Sequence, residues 1–184
     1  NVVIKDPRIP GANYGILRQG VGSTLDGCQI TGGFFQDLYG DAIEFNVCPG
    51  DRNVHVIDHI IDLIDSTSSP TPQNWGIGVG FAGNVYDNTF SESNLVKDFV
   101  IAKITGSRMR QLIHVECGAR FEVSEIKSRD VLASYSATAG IDHASVVTYG
   151  CTDFVVDGVQ VTAADGQVGG QVLIDYGYSG GAAI

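Results

Sequence analysis

Glu44 and Glu116 occupy matching places in two similar segments, DAIEFNV (41–47) and QLIHVEC (111–117). Two carboxyls on one surface are what acid–base cleavage of a glycosidic bond needs, one donating a proton and one activating water. Between these segments lies WGIGVGF (75–81), and ASVVTYG (144–150) follows them. Aligned, they give two neighbouring outward columns: Glu44, Gly78, His114 and Val147, then Asn46, Gly80, Glu116 and Tyr149. The side-chain-free glycines form a floor between polar walls, a shape that admits a sugar ring. Asp41 and Asp87 stand by as reserve carboxylates. His114, Asn46 and Tyr149 are placed to bind substrate, and the planar guanidinium of Arg110 suits an acidic sugar. Trp75 reads equally as a sugar-stacking platform or a core plug. A single outward glutamate is ordinarily just solvated, so the weight rests on two of them converging.

Such columns exist only if the segments stack, and the repeats say that they do. YGILRQG (14–20), the four segments above and QVLIDYG (171–177) form one set of six. A second set of six interleaves with it: VIKDPRI (3–9), TLDGCQI (24–30), HVIDHII (55–61), FVIAKIT (99–105), FEVSEIK (121–127) and FVVDGVQV (154–161). Period-two alternation dominates and no sustained helical period appears. Two strand types in alternation predict an all-β solenoid, a parallel β-helix of about six rungs, right-handed by the general crossover rule. A β-sandwich would not produce this alternation of strand types. Inward ladders are expected at Ile43, Ile77, Ile113 and Val146, at Phe45, Val79, Val115 and Thr148, and at Phe99, Phe121 and Phe154. Two rungs separate Glu44 from Glu116, placing their backbones roughly 9–10 Å apart.

Residues 1–184 read as one β-helix domain. Residues 84–98 read as an inserted loop and 65–73 as an exposed, Pro-containing one. Neither end resembles a cap, which suggests a fragment of a longer solenoid. Asp58 and His59 belong to the other sheet and read as structural, and Asp142-His143 as a turn.

Composition narrows the function classes. The 17% charged residues fall below the usual level of about 25%, and 24 glycines suit tight turns. A net charge of −10 argues against nucleic acid, whose binders need a basic face. No apolar stretch is long enough for a membrane-spanning helix. Cys28, Cys48, Cys117 and Cys151 lack zinc-ligand spacing and read as small buried hydrophobes, so neither metal nor cofactor is expected.

GDAIEFNV (40–47), VIDHII (56–61), NWGIGVGFAGNVYDN (74–88), RQLIHVECG (110–118), AGIDHASVVTYGC (139–151) and FVVDGVQVT (154–162) together resemble the colanidase-type phage tailspikes. They also resemble the related β-helix protein encoded with enterobacterial colanic-acid biosynthesis. The resemblance implies a pectate-lyase-like right-handed β-helix, a homotrimer, and binding or hydrolysis of an acidic exopolysaccharide or capsule. The expectation that follows is a tailspike depolymerase in the virion tail, cutting as an endo-glycosidase. The alternatives are a non-catalytic glycan-binding β-helix or a bacterial exopolysaccharide-biosynthesis protein, with the periplasm as the other location. A lyase is the lesser enzymatic variant, kept open by Arg110.

Overall fold

The computed structural model describes residues 1–20, 22–68, 76–84, 91–135, 143–163 and 172–175. Its strands run in chain order as β1 (Val2–Lys5), β2 (Arg8–Pro10), β3 (Tyr14–Gln19), β4 (Asp26–Thr31), β5 (Phe34–Leu38), β6 (Asp41–Asn46) and β7 (Arg52–Ile64). They continue as β8 (Ile77–Ala82), β9 (Val96–Met109), β10 (Gln111–Glu116), β11 (Gly118–Val131), β12 (Ala144–Tyr149), β13 (Thr152–Thr162) and β14 (Val172–Asp175). One sheet runs β1-β4-β7-β9-β11-β13, with β2 and β5 pairing beside that path; the other runs β14-β12-β10-β8-β6-β3. Every pairing within the two sheets is parallel among the described residues. Each coil lays strand in the first sheet and then a strand in the second, directly above the preceding coil. This is the parallel β-helix that the interleaved segments predict.

The long strands of the first sheet bend at fixed levels. Asp58 (φ 66°), Lys103 (φ 58°) and Glu125 (φ 54°) are left-handed, and the ladder passes them by, pairing Ile57 with Ala102 and His59 with Ile104 on either side of the first bend. Gly32 and Gly158 hold the same level in their own coils with φ 71° and 63°. A left-handed residue inserted into an extended strand turns it sharply, and stacking these turns gives the solenoid its corner.

The core is organised by one aromatic stack. Phe45, Phe81, Phe99, Phe121 and Phe154 lie face to face, with centroids 4.5, 4.3, 4.7 and 5.0 Å apart in turn. The stack changes sheets partway. In the first sheet the column reads Cys28, Val54, Phe99, Phe121, Phe154; in the second it reads Phe45, Phe81, Val115, Thr148. From the coil of Cys28 and Phe45 to that of Phe121 and Thr148, each thus contributes a ring from one wall and a smaller side chain from the other, keeping the interior filled without overpacking. The three phenylalanines expected to stack do so, and Phe45 and Phe81 extend them.

This stack also corrects one register. Val79 and Phe81 pair with Ile43 and Phe45 on one side and with Ile113 and Val115 on the other, so Ile77 does not share the Ile43 column. The glycine strand sits two residues from the expected alignment. A slip of two preserves which side chains face inward, so alternation alone cannot detect it. Placing Phe81 between Phe45 and Phe99 does. The segment read as an inserted loop at 84–98 is also shorter than expected, because β9 begins at Val96 after a 3-10 turn at Glu92–Asn94. Arg120 ties that turn to the strand by bonding both Glu92 and Asp98. The four cysteines are free and buried.

His59 is structural, as expected. Its ring is 1% exposed, Gly33 N–H donates to Nδ1 at 2.9 Å, and Nε2 donates to the Ile30 carbonyl at 3.0 Å. Burial lowers its proton affinity, opposed by the Ile30 carbonyl and Asp58. A folded imidazole with a depressed pKa contributes stability at and above the unfolded value of about 6.5, which is lost as pH falls below it. The thermal midpoint difference between wild type and His59→Leu is therefore expected to shrink as buffer pH falls from about 7.5 to 5. A difference constant over that range would show that His59 charges freely in the fold.

Candidate functional site

The register places Leu17, Glu44, Gly80, His114, Val147 and Leu173 in one column of the second sheet. Ala82, Glu116 and Tyr149 form the next outward column. Gly80 therefore lies between Glu44 and His114, in place of Gly78. Gly78 instead sits near the start of β8, level with Leu112, where a Cβ would come within 2.6 Å of the Leu112 carbonyl. Asn46 lies at the edge, bonded to Gln19 at 3.2 Å.

Gly80 has a steric reason to be glycine: a Cβ there would overlap Glu44 Oε2. The Glu44 carboxyl thus leans over the next rung into space a side chain would take. Glu44 is 8% exposed, and its Oε2 is enclosed without a hydrogen-bond partner among the described residues. Burial raises its pKa well above the usual carboxylate value, reinforced by Asp41 and Glu116.

Asp41 is fully buried beside it, with Oδ1 accepting the Ile77 backbone N–H at 2.8 Å. Burial lifts its carboxyl to about 6, restrained by the Ile77 N–H and by the Arg110 charge. Tyr14, not anticipated from the sequence, completes this corner. Burial together with Asp41 and Glu44 pushes its hydroxyl up to about 12.

On the other side of Gly80, His114 is 8% and Glu116 7% exposed, with Nε2 and Oε1 3.6 Å apart. Tyr149 packs at an angle on the His114 ring, 5.6 Å between centroids. Gln111, also not anticipated, joins the two parts: its Oε1 meets Arg110 Nη2 at 3.1 Å and His114 Nδ1 at 2.7 Å. Tyr14 and Gln111 share a column with Asp41 at the head of the sheet, and polar residues there were the available signal.

Arg110 is 0% exposed, so its guanidinium supports the cluster from beneath and is not positioned to clamp a sugar carboxylate. The expected role is corrected on that ground. Of the expected site residues, the fold gathers Asp41, Glu44, Gly80, Arg110, His114, Glu116 and Tyr149, and separates Gly78. Asp87 and Trp75 lie outside the described residues.

Fold and site together define a class, a parallel β-helix with a buried acidic cluster on one lateral sheet. The chain belongs to the family described as Colanic acid biosynthesis WcaM, whose model matches residues 1–182. It is 45% identical over 177 residues to Colanic acid biosynthesis protein WcaM of Salmonella typhimurium, covering 96% of this chain and 36% of that protein. Its similarity to the protein of the same name from Shigella flexneri is also 45% over 177 residues, covering 96% and 37%. The chain thus spans little more than a third of the length of the curated relatives it matches. This membership overturns the phage reading: a tailspike depolymerase and a place in the virion tail give way to a bacterial biosynthesis family.

Proposed function

We propose that this β-helix handles the polysaccharide itself during exopolysaccharide assembly, the process that names its relatives, by acid–base cleavage that trims the glycan. The observation that carries this is the Glu44 carboxyl, enclosed over Gly80 beside two further carboxyls that, with burial, raise its pKa. Glu44 is the proton donor to the leaving glycosidic oxygen, and water is activated by the His114–Glu116 pair, with His114 taking the proton and Glu116 beside it stabilising the charge. Glu44 and Glu116 stand two rungs apart and two residues out of register, roughly 11–12 Å at the backbone. The Glu44 carboxyl leans over Gly80, and a Glu116 carboxyl leaning toward it would bring the pair into the range of about 6.5–9.5 Å used by inverting glycosidases. The low exposure of Glu44, His114 and Glu116 favours a second reading, a glycan-holding scaffold that does not cut.

The test is incubation of the intact protein with purified colanic-acid-type polysaccharide, followed by reducing-end and size analysis. Wild type should generate new reducing ends, and Glu44→Gln and Glu116→Gln should each lose about 10²–10⁴-fold of that rate while still binding. Binding without new ends would assign the scaffold role. An unsaturated product would assign elimination, and cleavage undiminished in both variants would remove the site.

A further inference from the structure

Gln111 is wholly buried and makes two bonds through one atom. The Arg110 guanidinium can only donate, so the Gln111 atom it meets at 3.1 Å is the carbonyl oxygen. That oxygen can only accept, so His114 Nδ1, 2.7 Å from it, must carry a proton. Arg110 is enclosed and lies close enough to Asp41 to hold down its pKa, so the guanidinium that orients Gln111 is itself held in place.

We propose that Gln111 is a positioning residue that fixes neutral His114 in the Nδ1–H tautomer and leaves the Nε2 lone pair on the Glu116 side as a proton acceptor. This deepens the acid–base reading above and rests on it for its chemical consequence. Nε2 lies 3.6 Å from Glu116 Oε1. In the hydrolysis, a water proton passes to Nε2 as the water oxygen bonds to the anomeric carbon. The bond to the leaving oxygen breaks, and that oxygen takes the Glu44 proton. His114 then holds two protons, one still shared with Gln111 and one directed at Glu116, and Glu44 is a carboxylate; return of one proton through solvent restores both.

His59 supplies an internal reference. Gly33 N–H donates into its Nδ1, so Nδ1 is bare and Nε2 carries the proton given to the Ile30 carbonyl. The two rings are thus held in opposite tautomers by their partners.

The test is nitrogen-15 NMR of the histidine rings in the intact chain at about pH 8, where an unperturbed imidazole is neutral. Signals are assigned with His114→Gln and His59→Leu. Wild type is expected to show His114 protonated at Nδ1 and bare at Nε2, with His59 the reverse. Gln111→Glu, which keeps an acceptor, should preserve the His114 pattern. Gln111→Leu should lose it while His59 stays unchanged. A wild-type His114 protonated at Nε2, or a pattern unmoved in Gln111→Leu, overturns the proposal. If Gln111→Leu does not fold, the wild-type and Gln111→Glu spectra still decide. An intact tautomer pattern in a protein that leaves polysaccharide uncut would overturn the cleavage reading alone.

Discussion

Phe81→Ala should be among the most damaging single substitutions in the chain. Phe81 is 0% exposed and lies between two rings, 4.5 Å from Phe45 and 4.3 Å from Phe99, nearly parallel to both. Removing a buried phenylalanine costs about 3–5 kcal/mol, and each lost aromatic contact adds about 0.5–1.5 kcal/mol. Against a typical domain stability of about 5–15 kcal/mol, that leaves a marginal fold. Position in the stack makes the prediction specific. Phe154 touches one ring of the stack, Phe121, and is only partly buried, so Phe154→Ala should lose markedly less. Urea unfolding followed by circular dichroism separates the two. Equal shifts in midpoint would mean that the stack is not a cooperative unit spanning both sheets.

Glu44→Gln should make the protein more stable, with a gain that grows as pH rises. A carboxyl whose folded pKa is raised contributes stability that is fully present below its unfolded value, about 4.5, and lost as pH rises through the folded one. Above the unfolded value the native chain must keep or ionise an enclosed carboxyl that water would solvate freely once unfolded. An amide carries no such cost. Asp41, lifted to about 6, follows the same sign at lower pH and remains in both proteins. The measurement is thermal unfolding of wild type and variant from about pH 5 to 8, where each kcal/mol moves the midpoint by about 2–4 °C. A gap that closes with rising pH would show that Glu44 is ionised and well paired in the fold, and Glu44 would then be the wrong choice for proton donor.

Much of the fold was legible in the chain because a solenoid writes its structure locally. Each coil repeats the same two strand types, and inward residues alternate with outward ones whatever the neighbouring coil contains. FVIAKIT, FEVSEIK and FVVDGVQV align by inspection, and their ladder pairs Ile101, Val123 and Val156 as read. The convergence of Glu44, His114 and Glu116 was legible for the same reason, since outward positions follow from inward ones.

The glycine strand shows where this stops. IGVGF alternates perfectly in either of two registers, so the choice falls to a contact between coils, the seat of Phe81 between Phe45 and Phe99. That choice put Gly80 under the Glu44 carboxyl and Gly78 level with Leu112. Arg110 and Gln111 were likewise undecidable from sequence. Whether an arginine reaches solvent or lies wholly enclosed depends on what packs over it from other coils. The chain by itself determined the repeating coils, the inward ladders and the polar columns, because these depend on periodicity along the backbone. Only the tertiary structure decided the register of the glycine strand, the enclosure of the Glu44 carboxyl and the meeting of Gln111 with Arg110 and His114, because each depends on how the chain packs beyond its own periodicity.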